Sequence, residues 1–347
     1  MNIGLYNPYL DSYGGGERYV FTLAGHWSKV HDVRIFWDDA SVLSEAQKRF
    51  DLNLKNVKTV PNIFAARNLL RKLSASTEYD CIFFLSDGSV PTSLAKYNIL
   101  HFQVPFAHVH LPWWKAGKYQ RVICNSEFTQ KYLDPSLSIQ RSVVYPPVDI
   151  ERMNETVKTN TILSVGRFSA LYGAKKHEVL LQAFRKAQRN NDLAGWKMVI
   201  AGGLLPSDRP YLHQLKTMAK GLPVEFYANC TFRSLQSLYG TASIYWHAAG
   251  YGESKPEHME HFGITTVEAM GAGCIPVVYN GGGQPEIIDD HHTGLLWETP
   301  EELIQKTVSV IQKKNVLARI KRAAKKRAGE FSVDRFTKSF DRLLSEL

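Results

Sequence analysis

The run EHFGITTVEAMGAGCIPVVYNGGGQPEII, residues 260–288, carries the signal that sorts this chain into a fold class. It reads as an acidic loop residue, a Phe-Gly turn, a helix, a glycine-rich loop and then a strand. Gly263 is a natural opening for the helix. The first N–H groups, at about Ile264 to Thr266, have no partner inside it and face whatever comes before. Such an end attracts anions. Glu260 stands just outside the helix and Glu268 about one turn inside it, with seven residues between them. A second carboxylate cannot neutralise a phosphate, but it accepts hydrogen bonds from neutral hydroxyls such as those of a ribose. Phosphate at the helix end, with hydroxyl acceptors on either side, suggests a nucleotide sugar. Spacing alone fits an ordinary amphipathic helix with two solvated glutamates equally well.

Outward from that run, strand-like and helix-like segments alternate. Short apolar runs at 2–6, 33–37, 81–86, 99–103, 122–125 and 143–145 are separated by helix-length segments or loops. After Tyr145-Pro146-Pro147 a polar stretch, 151–160, reads as a linker. A second set follows at 161–165, 197–201, 224–227, 244–247, 274–278 and 295–297. This pattern predicts an α/β protein with two Rossmann-like, doubly wound parallel sheets. Ligands of such sheets bind at the carboxyl ends of strands, so the expected site lies in a deep cleft between the halves. The length of 347 residues exceeds what one core usually holds. The last helix, 333–347, puts Phe336, Phe340, Leu343 and Leu344 on one stripe and could pack on either half.

No apolar run approaches the roughly 18 residues of a spanning helix, and MNIGLYNPYL has no basic-then-apolar leader. Cys81, Cys124, Cys230 and Cys274 are scattered, as for reduced cytoplasmic thiols. The net charge of +9 fits nucleic acid, anionic lipid or phosphorylated ligands as partners. The densest basic run, 313–327, has Val316, Leu317, Ile320, Ala323 and Ala324 on a helical period, which reads as a surface helix with a solvated basic face.

Several constellations could bind or react. Tyr13-Gly14-Gly15-Gly16-Glu17 follows the first strand, and its bare backbone can approach a ligand. Val165-Gly166-Arg167, followed by Lys175 and Lys176, places cations at a strand end and a helix start, a plausible diphosphate clamp. Solvated surface cations are the plain alternative. His101, inside an apolar strand, reads first as a core residue. Asn280 to Glu286 is a glycine turn beside the donor side of the cleft or simply a tight turn. His108-x-His110 and His258-x-x-His261 have ligand-like spacing but match no metal motif. Trp113-Trp114-Lys115, with Lys118 and Arg121, reads either as an anionic-membrane contact or as buried tryptophans beside solvated lysines.

In this order these elements resemble glycosyltransferase family 4, retaining enzymes of the GT-B fold, such as bacterial polysaccharide or lipid-linked-glycan hexosyltransferases. The resemblance covers nearly the whole chain and includes ICNSEFTQKYL (123–133), VVYPPVD (143–149) and Phe331-Ser332-Val333. It implies an acceptor-binding domain over 1–155, joined by the helix 332–347, and a donor-binding domain over 156–331. It implies that Arg167 and Lys175 hold the leaving diphosphate, Glu260 meets sugar hydroxyls, and Glu268 holds the ribose. Gly15 and Gly16 would approach the phosphates, and His101 would lie by the transferred sugar. Phe262, Gly263, Ile264 and Thr265 would meet sugar or phosphate, the last three through backbone N–H groups; Asn229 and Cys230 would meet the base. Ala228 stands where a glycine is frequent, and 252–258 lengthen the loop before Glu260, which alters the expected sugar pocket.

The implied activity is hexosyl transfer from a nucleotide-diphosphate sugar to a glycan or lipid-linked acceptor. UDP-glucose is the favoured donor and GDP-mannose the other, because the motifs serve both. No metal and no cofactor are expected, and the implied location is cytoplasmic, peripheral at the inner face of the plasma membrane. Two rivals remain at this point: a nucleotide-sugar epimerase of the same fold, and a basic nucleic-acid-binding protein. The latter leaves the glycine loops unexplained and has no supporting motif, so nucleic acid is not an expected partner.

Overall fold

The computed structural model describes residues 1–12, 14–65, 68–170 and 175–347. The chain divides into two compact units, Met1–Pro147 with Val333–Leu347, and Val148–Ser332. Among the described residues each unit is built on one parallel sheet.

The first sheet contains β1 (Asn2–Tyr6), β2 (Asp32–Phe36), β3 (Val57–Val60), β4 (Cys81–Leu85), β5 (Tyr97–Phe102), β6 (Arg121–Cys124) and β7 (Arg141–Val143). Their order is β3-β2-β1-β4-β5-β6-β7. The winding direction therefore reverses between β1 and β4, the place where doubly wound sheets open for ligands. Side chains alternate between two cores, as strand geometry requires. Cys81, Phe83 and Leu85 join one cluster, and Ile82 and Phe84 the other. β3 had no counterpart in the sequence reading. It is an edge strand in which Val57 alone is buried, so it shows no apolar run.

The C-terminal helix Val333–Ser345 packs on this first unit. Phe336 and Phe340 meet Tyr19 edge-on at 4.7 and 5.8 Å, and Phe340 meets Trp27 at 5.6 Å. Burying the two phenylalanines contributes about 1.5–3 kcal/mol each. That ties the end of the chain to the unit in which it begins.

The second sheet contains β8 (Thr159–Val165), β9 (Lys197–Gly202), β10 (Val224–Ala228), β11 (Ala242–His247), β12 (Ile275–Tyr279) and β13 (Leu295–Trp297), in the order β10-β9-β8-β11-β12-β13. Here the reversal falls between β8 and β11. The polar stretch before β8 is anchored to this unit rather than free. Lys158 Nζ donates to the carbonyls of Ala242 and Ala272, both at 2.7 Å, and Glu155 pairs with Lys321 and Lys325. Ala272 closes the helix Ile264–Gly271, so Lys158 places its cation at the negative end of that helix dipole. The basic helix Lys314–Ala328 buries Ile320, Ala324 and Ala328, and several of its cations have internal partners. Among the described residues no helix is long and apolar enough to cross a membrane.

Candidate active site

At the reversal in the second unit, β8 runs into Gly166 and Arg167, and the neighbouring β11 ends on His247. A side chain on Gly166 would begin 2.4 Å from Lys175 Cγ. The bare glycine thus lets the Lys175 stem lie over the strand end. Arg167, the next residue, is exposed, and its stem passes Gly203. Residues 171–174, between the two cations, lie outside the described residues.

Lys175 Nζ donates to Glu260 Oε2 at 2.5 Å, and His247 Nε2 lies 3.0 Å from the same oxygen. Burial pushes the Glu260 carboxyl up, but Lys175 and His247 outweigh it and hold it far below the usual carboxylate range. The buried His247 ring is pushed down by desolvation, so it is neutral at pH 7 and the geometry puts its proton on Nε2. Lys176 is diverted elsewhere, to Glu253 at 2.5 Å, which also faces His258 Nδ1 at 3.4 Å. That pairing holds the lengthened loop 252–258 and leaves Arg167 and Lys175 as the clamp candidates.

Gly263 adopts φ 122°, a backbone conformation that L side chains rarely adopt, and opens the helix Ile264–Gly271. Ile264 and Thr265 are partly exposed, whereas Thr266 to Met270 are buried, so the helix is accessible at its N-terminal turn. Thr265 Oγ1 accepts a hydrogen bond from Tyr245 O–H at 2.8 Å, and Phe262 packs on Phe331 at 5.3 Å. Glu268 is buried and accepts from Tyr239 O–H at 3.0 Å. With Glu260 only 15% exposed, neither glutamate is a solvated surface residue. The glycine turn after β12 braces this loop. Gly283 N–H donates to Glu260 O at 2.8 Å, and a Cβ on Gly282 (φ 63°) would lie 2.1 Å from that oxygen. Gln284 is fully buried behind Gly263. Its amide, Thr266 Oγ1 and His261 Nε2 have no partner among the described residues.

Asn229 and Cys230 follow β10. The Asn229 amide pairs both ways with the Leu204 backbone, at 2.8 and 3.0 Å, and braces the loop after β9. Cys230 is partly buried, and Ala228 is exposed at the end of β10.

In the first unit, the glycine loop after β1 leads into the helix Gly15–Trp27; Tyr13 lies outside the described residues. Glu17 is buried and accepts from Gly14 N–H at 2.5 Å, one half of a capping box. Gly15 is exposed. The Gln103 amide oxygen sits where a side chain on Gly16 would begin. Gln103 Nε2 is 3.1 Å from His101 Nε2, and His101 Nδ1 is 3.1 Å from Ile123 O. His101 is fully buried, stacks on Tyr19 at 4.1 Å, and is pushed down to about 3 by burial. Both its ring nitrogens are engaged, so Gln103 is the polar tip nearest the loop. Among the described residues no three His, Cys, Asp or Glu side chains gather as a metal-ligand set.

Residues 148–327, just over half of the chain, match the family Glycosyl transferases group 1, and residues 13–152 match Glycosyltransferase Family 4. The chain belongs to the group 1 glycosyl transferases. The GDP-Man:Man(3)GlcNAc(2)-PP-Dol alpha-1,2-mannosyltransferase of Xenopus tropicalis is 26% identical over 246 residues, which cover 66% of this chain and 47% of that protein. The protein of the same name from Homo sapiens is 28% identical over 240 residues, covering 62% and 45%. The chain thus spans about half the length of the curated relatives it matches. Anabaena Alr3699/HepE in complex with UDP and glucose aligns with a TM-score of 0.73, at 17% identity over 100% of both chains. At that identity the likeness is one of fold, and the fold of this glycosyl transferase is GT-B.

Sequence reasoning passed over His247, Gln103, Tyr239 and Gln284 in this group 1 glycosyl transferase. His247 ends an apolar strand and carries no local motif. Gln103 follows the strand that holds His101 and likewise carries no local motif. A polar residue as the last member of a strand that ends at the reversal point was the available signal for His247.

Proposed function

We propose that this chain is a retaining hexosyltransferase that moves a sugar from a nucleotide-diphosphate donor to a lipid-linked glycan. One observation carries the proposal: Lys175 and Glu260, paired at 2.5 Å, lie where β8 and β11 diverge, beside the accessible start of the helix Ile264–Gly271. In the reaction the bond from the anomeric carbon to the phosphate oxygen breaks, and the diphosphate keeps the electron pair. The acceptor oxygen bonds to the anomeric carbon from the same face, and its proton passes to the leaving phosphate. Charge therefore grows on the diphosphate. Arg167, Lys175 and the N–H groups of Gly263, Ile264 and Thr265 stabilise it more in the transition state than before it. Their positive charge serves without a metal or cofactor.

Glu260, ionised throughout the neutral range, accepts hydrogen bonds from the sugar hydroxyls. Glu268 takes the ribose, Phe262 shapes the wall, and Asn229 and Cys230 meet the base through their backbone. In the first unit, Gly15 and Gly16 approach the phosphates, and His101 acts beside the sugar through Gln103. The names of the relatives favour GDP-mannose over the UDP-glucose expected from sequence, and a dolichol-diphosphate glycan as the kind of acceptor. The location proposed with it is peripheral, at the cytoplasmic face of a membrane.

Thermal-shift measurements with GDP, UDP, GDP-mannose and UDP-glucose test the donor. The correct one at 100 times its Kd adds about 2.7 kcal/mol. Stabilisation by the UDP pair alone would replace GDP-mannose, and stabilisation by neither pair would end the proposal. Conversion of the donor with no acceptor present would mark an epimerase instead.

A further inference from the structure

The first unit exposes large apolar side chains in two stretches far apart in sequence. Leu69 and Leu70 open the helix Leu69–Ser76 with 51% and 77% of their surface exposed. Trp113 and Trp114 stand at 87% and 51%, which rules out the reading of them as buried. Leu94, 42% exposed, lies between the two stretches. Ser76 Oγ accepts from Leu94 N–H at 2.8 Å, Lys115 Nζ donates to Val90 O at 2.9 Å, and Tyr119 O–H donates to Pro91 O. The segment 90–95 thus links the leucine helix to the tryptophan turn. Exposed groups of large apolar side chains mark interaction surfaces.

The two stretches that carry these side chains are themselves free of acidic residues. No Asp or Glu occurs between Asp51 and Glu78, nor between Asp87 and Glu127. Arg71 and Lys118 are exposed, and Lys115 lies 5.3 Å from the Trp114 ring. Burial and then the charge of Lys72 push the Lys115 ammonium down. Exposed tryptophans, protruding leucines and cations on stretches that carry no acids match the chemistry of a bilayer surface with anionic headgroups. A protein partner of comparable strength would need an acidic, apolar patch of matching shape, whereas a lipid surface adapts to both stretches.

We propose that Leu69, Leu70, Trp113 and Trp114, with Arg71, Lys72 and Lys118 around them, form a face that docks this chain on an anionic lipid bilayer. The face gives a lipid-linked acceptor a place to be met, and to that extent it rests on the proposed function. Its measurement does not, because no donor, acceptor or turnover enters it.

The test is co-sedimentation of the full chain with phosphatidylcholine vesicles, with and without phosphatidylglycerol, at low and high salt. Binding is expected to the anionic vesicles, weakened by salt. Arg71→Ser with Lys118→Ser should lower partitioning about 30-fold, from about 1 kcal/mol per cation. Trp113→Ser with Trp114→Ser, and Leu69→Ser with Leu70→Ser, should each lower it more than about tenfold. All these side chains are exposed, so the variants should melt as the parent does. Parent-like binding by the folded variants, equal binding to neutral vesicles, or no binding at low salt overturns the inference. So does light scattering that shows a dimer abolished by the leucine variant, which would assign the face to a second copy. A failed donor panel with intact vesicle binding would remove the transferase reading and leave the docking face standing.

Discussion

Replacing Lys175 with alanine separates the two tasks assigned to that side chain. Its ammonium lies 2.5 Å from Glu260 Oε2, in a pair whose side chains are 22% and 15% exposed. Without it the carboxylate keeps His247 at 3.0 Å, while burial still pushes its carboxyl up. Removing one partner of a buried pair costs about 3–5 kcal/mol, and the residual exposure here puts the expectation near the lower end. Turnover should fall by about 10²–10³, or roughly 3–4 kcal/mol, because the cation faces charge that grows in the transition state. Lys175→Ala with Glu260→Gln removes the stranded charge, so stability should return to within about 1 kcal/mol of the parent while turnover stays low. Urea unfolding reads the first effect, and transfer at saturating donor reads the second. The sign of the pH dependence is set by the depressed Glu260 carboxyl. Its contribution is present above the ordinary value of 4.5 and is lost as pH falls below it, so parent and single variant should converge in acid. A folded Lys175→Ala protein with turnover within about threefold of the parent would refute the charge-stabilising role.

Two further outcomes are expected. Gly282→Ala combines a left-handed backbone, costing about 1–2 kcal/mol, with a Cβ placed 2.1 Å from Glu260 O. The displaced Glu260 should lower turnover about 10²-fold, and parent-like kinetics would show that the turn does not position it. In acid, burial holds His101 and His177 down at about 3, well below 6.5, so the unfolded chain takes up their protons first. Their stabilisation is complete above about pH 6.5 and is lost as pH falls towards 3, at about 2 kcal/mol per histidine by pH 5. His101→Gln should remove its share from the decline between pH 7 and 5 in urea titrations; an unaltered decline contradicts a buried neutral ring.

Much of the site was legible because its signals are local. The Phe-Gly turn placed the helix start at Gly263, where the structure begins it at Ile264. Gly166, Arg167 and Lys175 were read as a strand end followed by cations, and they lie together at the end of β8. The partners were not legible. Glu260 gains Lys175 from 85 residues away and His247 from the end of β11, and Lys176, the neighbour of Lys175, goes to Glu253. No local pattern tells two adjacent lysines apart. Gln103 stayed hidden for a similar reason, since its closeness to Gly16 depends on how β5 lies relative to β1.

By itself the sequence determined the α/β class, the run of strands and helices, and the residues at strand ends and at the helix start, because periods of 2 and 3.6 residues and glycine turns are set by near neighbours. The tertiary structure alone decided the strand order, the reversal between β8 and β11 that brings Lys175 to His247 and Glu260, and the ties that hold the helix Leu69–Ser76 and the Trp113–Trp114 turn to the segment 90–95. Those choices rest on hydrogen bonds and contacts between residues far apart in the chain, such as Leu163 of β8 with Tyr245 of β11, and many strand orders satisfy the same local pattern.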